Sequence, residues 1–400
     1  MTSQFRKIAL ILGLLSAIGP FAIDMYLPAL PAIGQGLGAN VGQVQWSLTA
    51  FFIGLALGQP FYGPLSDMLG RKRPLYAGLA LFVLASIGCA LANDITALVA
   101  MRFAQGLGAA ATMAIPRAIV RDLHTGTDAA RLMSLLMLVL SVSPILAPLT
   151  GSVVIAMAGW RMVFWGVALV ALAGLVMTGM TLQETRPADK RVESSVRGAL
   201  RAYARLLRDR RYLGLVLIGS FALGGFFVYL ANSPFVMIQH YGLTPTQYGL
   251  AFSLNAVAFI GASQFTGRLG DRFGMEAVVK IAAVGAAAVT LALLACYLLG
   301  ADNLVLLIAM YFIASVFLGL IVPTTAVLAL DDHGANAGTA SALLGTLQML
   351  VGGLMMGVIG LCIDGKPLTM VAGMASGPVI ALALTWLTLG GSARRTCAAT

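Results

Sequence analysis

Charge is so scarce in this 400-residue chain that long stretches of it can fold stably only inside a bilayer. Hydrophobic residues make up 59% and charged residues 10%, whereas soluble domains are about half apolar and about 25% charged. Forty charged side chains cannot cover the two or three domains that such a length would otherwise form. At about 20 residues per spanning helix, the apolar supply suffices for roughly a dozen crossings. A soluble enzyme, a nucleic-acid binder and a disordered protein are excluded by this arithmetic. The net charge of +10 is dispersed over short connecting segments and reads as membrane orientation. The bilayer, not nucleic acid, is the expected partner.

Apolar runs of spanning length fall at 8–30, 43–62, 75–92, 97–120, 133–157, 162–182, 212–238, 246–267, 277–299, 304–329, 338–361 and 369–390. Only Gly159, Trp160 and Arg161 separate the fifth from the sixth. The first run follows Arg6 and Lys7, as a signal peptide would, but has no small-residue cleavage site and reads as a retained helix. When the connecting segments are assigned alternately to the two sides, one side holds 21 of the 25 Lys and Arg residues and the other only Arg161 and Lys366. A miscounted helix would scramble that asymmetry, so both termini are expected in the cytoplasm.

The longest polar stretch, 183–211, is basic and divides the chain six plus six: a bundle over 1–182, a linker, and a bundle over 212–400. Arg197, Arg201, Arg205 and Arg208 share one helical face there, which reads as a linker helix lying on an anionic leaflet. The halves repeat. Gly63 to Gly70 and Gly267 to Gly274 both read G-x-L-[SG]-D-x-x-G, 204 residues apart, and Pro116 and Pro323 are 207 apart. Parallel six-helix repeats are a secondary-transporter architecture.

The stretch from Gly63 to Pro74, with Asp67, Gly70 and Arg71, resembles the loop motif between helices two and three of the major facilitator superfamily. Arg102 to Gly108 is similar to the helix-four arginine motif of its proton-linked members. Pro144, Pro148 and Gly151 match the helix-five motif of its antiporters, with Ala147 and Thr150 standing where glycines are usual. Ile23 to Pro31 and Arg117 to Leu123 resemble the Bcr/CflA drug-exporter branch. The resemblance covers nearly the whole chain. It implies twelve helices in two pseudo-symmetric bundles and proton-driven export of small drug-like molecules, phenicol- or bicyclomycin-type antibiotics among them. It further implies a bacterial inner membrane, a monomer, and a cytoplasmic latch formed by Gly63, Asp67, Gly70 and Arg71, with Asp271 and Arg272 as the weaker second copy.

Charges within the spans point to chemistry independently, because each costs about 2.5–3.5 kcal/mol to insert. They are Asp24, Arg102 and Arg117. Counted along unbroken helices, Asp24 lies about 24 Å from the inner surface and Arg102 about 8 Å from the outer one, which places both in the outer third. Two readings stand: a carboxylate alternately protonated and occupied by substrate, or a static Asp24–Arg102 pair holding helices one and four. Ser16 stands where some drug-exporting relatives carry a second acid. Arg117, after Pro116, either lines the inner cavity or snorkels to the interface. Phe21 and Pro28 share the face of Asp24, and Gln105, Ala109 and Met113 that of Arg102. Asn232, beside Ser233 and Pro234, suits an unwound segment lining a cavity.

Other patterns lead nowhere. Gly360 to Lys366 fits the start of a phosphate loop, but Pro367 follows and no strand precedes it. His124, His240 and His333 are scattered, and Cys89, Cys296, Cys362 and Cys397 are isolated, so neither a metal site nor a disulfide framework is expected. The expectation is an all-α carrier, not an enzyme, that uses the proton gradient and no cofactor. The rival readings are a proton-coupled exporter of a physiological sugar or metabolite, an uptake symporter, and a membrane receptor without transport.

Overall fold

A computed structural model describes residues 3–123, 126–186, 196–331, 333, 337–362 and 365–390. Pro187, His124, Cys397, Arg394 and Arg395, and two residues of the phosphate-loop look-alike lie outside them. Every regular element among the described residues is helical. In order these are α1 (Ser3–Asp24), α2 (Leu30–Leu37), α3 (Val41–Leu69), α4 (Lys72–Leu91), α5 (Ile95–Leu123), α6 (Gly126–Ala158), α7 (Arg161–Thr181) and α8 (Val196–Arg208). There follow α9 (Arg210–Pro234), α10 (Pro245–Ser263), α11 (Thr266–Phe273), α12 (Met275–Leu298), α13 (Leu304–Asp331), α14 (Ala337–Gly360) and α15 (Pro367–Leu389). Eleven helical spans are long and apolar enough to cross a bilayer, and α10 with α11, bent by 41° at their joint, makes a twelfth. Large apolar side chains such as Leu169, Met180 and Ile281 stand exposed, as lipid-facing residues do.

The chain divides into two compact units, 1–199 with 244–250, and 200–243 with 251–400. In the first unit the boundary between α6 and α7 falls at Gly159, whose φ of 81° ends one helix before Trp160 and Arg161 start the next.

The first span is not the unbroken helix assumed in counting depths. α1 stops at Asp24, a 3-10 turn takes Leu27–Ala29, and α2 resumes at Leu30. Pro28 is the cause, since its ring nitrogen cannot donate to the Asp24 carbonyl four residues back. Asp24 is therefore the last residue of a helix about 33 Å long at 1.5 Å per residue.

The repeated motif is helical rather than a loop in both copies. Gly63 to Leu69 closes α3 and Gly267 to Phe273 lies on α11. Each copy ends on a glycine with positive φ, Gly70 at 85° and Gly274 at 82°. Gly63 and Gly267 have open space where a Cβ would sit, so only the last glycine of each copy is required by the turn.

In the second unit α9 runs into a π-helical turn, Phe235–His240. Its end is tied to the α12–α13 connection. His240 Nε2 lies 2.8 Å from Asp302 Oδ2, the Tyr241 hydroxyl donates to Asp302 Oδ1, and the Tyr241 and Tyr297 hydroxyls are 2.7 Å apart.

Candidate functional site

Glycine places the buried charge of the first unit. A Cβ on Gly106 of α5 would lie 2.1 Å from the Phe51 carbonyl of α3, and one on Gly108 would lie 2.6 Å from the Phe82 amide of α4. The backbones therefore touch, as small residues allow in membranes. That approach closes Arg102 into a box. Its guanidinium sits 4.3 Å from the Tyr26 ring centroid, 4.4 Å from Phe51 and 5.9 Å from Phe164, and Arg102 is fully buried. Contacts of this kind contribute about 0.5–2 kcal/mol each.

Arg102 Nη1 donates to Gln105 Oε1 at 2.6 Å and to the Ala22 carbonyl at 3.2 Å. Gln105 Nε2 donates to Ser86 Oγ at 2.7 Å, and Ser86 to the Phe82 carbonyl at 2.6 Å. The Ala22 carbonyl is free for Arg102 because the break after Asp24 turns the Tyr26 amide to Ile23 instead. The broken helix thus offers its negative end to the cation.

Asp24 takes no part in this. It is buried and, among the described residues, makes no ion pair or hydrogen bond, and Arg102 Nε and Nη2 have no hydrogen-bond partner. The static pair allowed for in the sequence is not formed. The carboxyl instead stands one residue from Met25, against whose backbone Gly151 of α6 lies, since a Cβ on Gly151 would be 2.3 Å from the Met25 carbonyl oxygen. Pro148 and Gly151 are buried and Pro144 half-buried on the same helix. Met113 faces Gly19 of α1, its side chain 3.5 Å from where a Cβ would be. Phe21 and Arg117 are half-buried, and α5 continues past Pro116 to Leu123.

A second charged node closes one end of the same unit. Arg71, 4% exposed, reaches three groups. Nε and Nη2 donate to Asp122 at 2.7 and 3.1 Å, and Nη1 to Asp67 and Ser66 at 2.7 Å each. Arg186, past α7, lies 3.3 Å from Asp67 and 3.9 Å from Asp122. Asp67 pairs with Arg71 and not with a helix N-terminus. That place belongs to Glu184, whose carboxylate accepts the Arg71 and Lys72 amides at 2.7 and 3.2 Å. The second copy differs. Asp271 and Arg272 are exposed and unpaired among the described residues, Arg272 lying only over the Phe273 ring at 5.2 Å.

Asn232 is buried in regular helix, donating to the Val228 carbonyl at 2.7 Å, so the unwinding expected there is replaced by the π-helical turn that follows. Near it, Tyr229 stacks on Phe252 at 6.1 Å, lies 4.1 Å from Tyr311, and accepts from Asn255 Nδ2 at 3.0 Å.

Sequence reading missed Ser86, Phe51 and Phe164, which no local pattern marks, and Asn255. It also gave no role to Asp122, Glu184 and Arg186, although acids and bases clustered at span ends are a visible signal.

Two bundles of apolar helices with buried charges and a charged node at one end define a polytopic membrane carrier, not an enzyme. The chain belongs to the major facilitator superfamily, whose model matches residues 12–356. It is 37% identical over 356 residues to an uncharacterized MFS-type transporter, YdgK, of Bacillus subtilis, covering 88% of each chain. It is 30% identical over 349 residues to a bicyclomycin resistance protein homolog of Haemophilus influenzae, covering 86% of this chain and 87% of that one, so the resemblance to the Bcr/CflA branch holds. Among solved structures it is similar to a bacterial homolog of the human lysosomal transporter Spinster, with a TM-score of 0.76 at 16% identity, covering 97% of each chain. At that identity the likeness shows the fold alone.

Proposed function

We propose that the chain is a proton-driven antiporter that exports small hydrophobic or amphipathic drugs, of the phenicol or bicyclomycin type, from the bacterial cytoplasm. It works by alternating access of its two halves across the inner membrane, as a monomer with both termini inside, and needs no cofactor beyond the proton gradient. One observation carries the reading: a buried Asp24 with no cationic partner among the described residues, at the broken end of α1, one residue before the Met25 backbone on which the helix-five glycine packs. A lone acid at bilayer depth is costly and, where present, marks a proton or substrate path. The lysine and arginine asymmetry supports the orientation. The resistance named for the Haemophilus relative supports the substrate class.

In this reading Asp24 exchanges the proton, and Arg102 holds the α1 break through the Ala22 carbonyl. Phe21, Gln105, Met113, Arg117 and Asn232 contact substrate, and the Arg71 node latches the cytoplasmic end while Asp271 and Arg272 contribute little.

Everted membrane vesicles carrying a pH-sensitive dye test it. Phenicols or bicyclomycin should release protons from wild-type vesicles. Asp24→Asn should abolish the signal, and Arg102→Ala should reduce it at least tenfold with the protein still inserted. A response to sugars alone would transfer the reading to a metabolite exporter, and a drug response intact in both variants would remove Asp24 and Arg102 from coupling.

A further inference from the structure

We propose that the end of the linker helix carries a discrete headgroup site for an anionic phospholipid, anchored by Arg205 over a cavity walled by His333. The cavity, about 230 Å³, is lined by Ala202, Arg205, Leu206, Asp209 and His333, all in the second unit. One water needs roughly 10–15 Å³ of such space, so a phosphate with a short polyol fits.

The walls are built, not incidental. Leu206 is buried in the core of the second unit with Tyr212 and Leu215, and Tyr203 packs on it. This fixes the face that α8 turns outward. Asp209, the single residue between α8 and α9, is committed on both oxygens. Oδ1 accepts the Arg211 and Tyr212 amides at 2.9 and 3.1 Å, and Oδ2 lies 3.3 Å from His333 Nε2. These contacts hold its carboxylate at the start of α9 and against the imidazole. His333 is held in turn, edge-on to the Tyr212 ring at 5.2 Å.

Arg205 is unpaired among the described residues. It is exposed and, among the described residues, makes no ion pair or hydrogen bond, and the same is true of Arg201, Arg208 and Arg210. An arginine fork over a cavity whose Asp209 carboxylate is already engaged by two backbone amides and an imidazole is a receptor for a phosphate oxyanion, bonded bidentately. Membrane position selects the lipid form of that chemistry. The span Arg210–His240 begins one residue after Asp209, which puts the cavity mouth at the interface, and Leu207 beside it is exposed. The flanking arginines concentrate anionic lipid there.

A diffuse basic face would respond alike to the loss of any arginine, by about fivefold, since each is worth roughly 1 kcal/mol at an anionic leaflet. The site responds to position. We would place the full-length protein in phosphatidylcholine nanodiscs with a few percent phosphatidylglycerol and count retained phosphatidylglycerol by native mass spectrometry. Arg205→Gln should reduce retention at least tenfold. Ala202→Phe, which fills the cavity without changing charge, should do the same, while Arg201→Gln, outside the lining, should reduce it fivefold at most. Equal losses from Arg205→Gln and Arg201→Gln, or wild-type retention by Ala202→Phe, would overturn the site. Inorganic phosphate that displaces the lipid at equal concentration would also overturn it, in favour of a free anion. The thermal midpoint in phosphatidylcholine alone checks folding. If Ala202→Phe unfolds, the exposed Arg205→Gln and Arg201→Gln pair still decides.

Discussion

Arg71 and Asp271 occupy comparable repeats and do unequal work. Arg71 bridges Asp67 and Asp122 with both edges of its fork, which a lysine cannot reproduce. Arg71→Lys is expected to destabilise the protein by roughly 2–4 kcal/mol, because it leaves partly buried carboxylates short of donors. Asp271→Asn, at an exposed position without an ion pair, is expected to stay within about 0.5 kcal/mol. Thermal midpoints of the two variants in detergent check both; equal shifts would mean the node contributes nothing. Gly151→Ala is a sharper case, since the new methyl would meet the Met25 carbonyl at 2.3 Å. We expect a loss of about 1–3 kcal/mol and failure of drug export, whereas Gly63→Ala, with open space around it, should keep both stability and expression. At this scale the sequence was informative about which residues are charged inside the membrane and silent about their partners. Asp24 and Arg102 were legible because charge in a span is conspicuous. Their separation was not, because it depends on an α1 break that Pro28 imposes and on aromatic rings contributed by that break, α3 and α7.

Elements were easier to read than their ends. The apolar runs located all twelve crossings, but helices continue past apolar runs: α3 extends to Leu69 and takes in residues read as loop. The reason is that helix ends follow capping and glycine φ rather than hydropathy. Asn40 and Gln43 close a reciprocal capping box at the start of α3, and Gly70 ends it. The connection from the π-helical turn to the α12–α13 segment offers a pH test. Hydrogen bonding from Tyr241, less the opposing effect of partial burial and aided by His240, holds the Asp302 carboxyl below its usual range. A depressed carboxylate contributes stability above its unfolded value and loses it as pH falls through the folded one. Asp302→Asn should therefore lower the thermal midpoint by about 1–3 °C at pH 7, in keeping with an exposed pair, and the difference should vanish in strong acid. A difference that persists at acid pH would assign the effect to the tyrosine contacts and not to charge.

For the molecule as a whole, composition carried the all-helical membrane architecture, and the motif resemblance carried the superfamily. Composition did so because insertion into lipid leaves few architectures open. Orientation rests on the counted lysines and arginines, and it predicts a labelling pattern. With the native cysteines removed, Gly198→Cys should react with an impermeant maleimide only in everted vesicles and Lys366→Cys only in right-side-out ones, both positions being exposed. The reverse pattern would invert the direction of export.

The backbone-to-backbone seams among α3, α4 and α5, at Gly54, Gly78, Gly106 and Gly108, leave no room there for even a methyl group. Such seams admit no intermediate sequences, so adaptation to a new compound cannot begin at them. In a population selected on a new antibiotic, the first successful mutations should fall on side chains around the α1 break and along α9, away from such glycine contacts. The three-helix seam should stay unchanged for as long as the lineage exports anything.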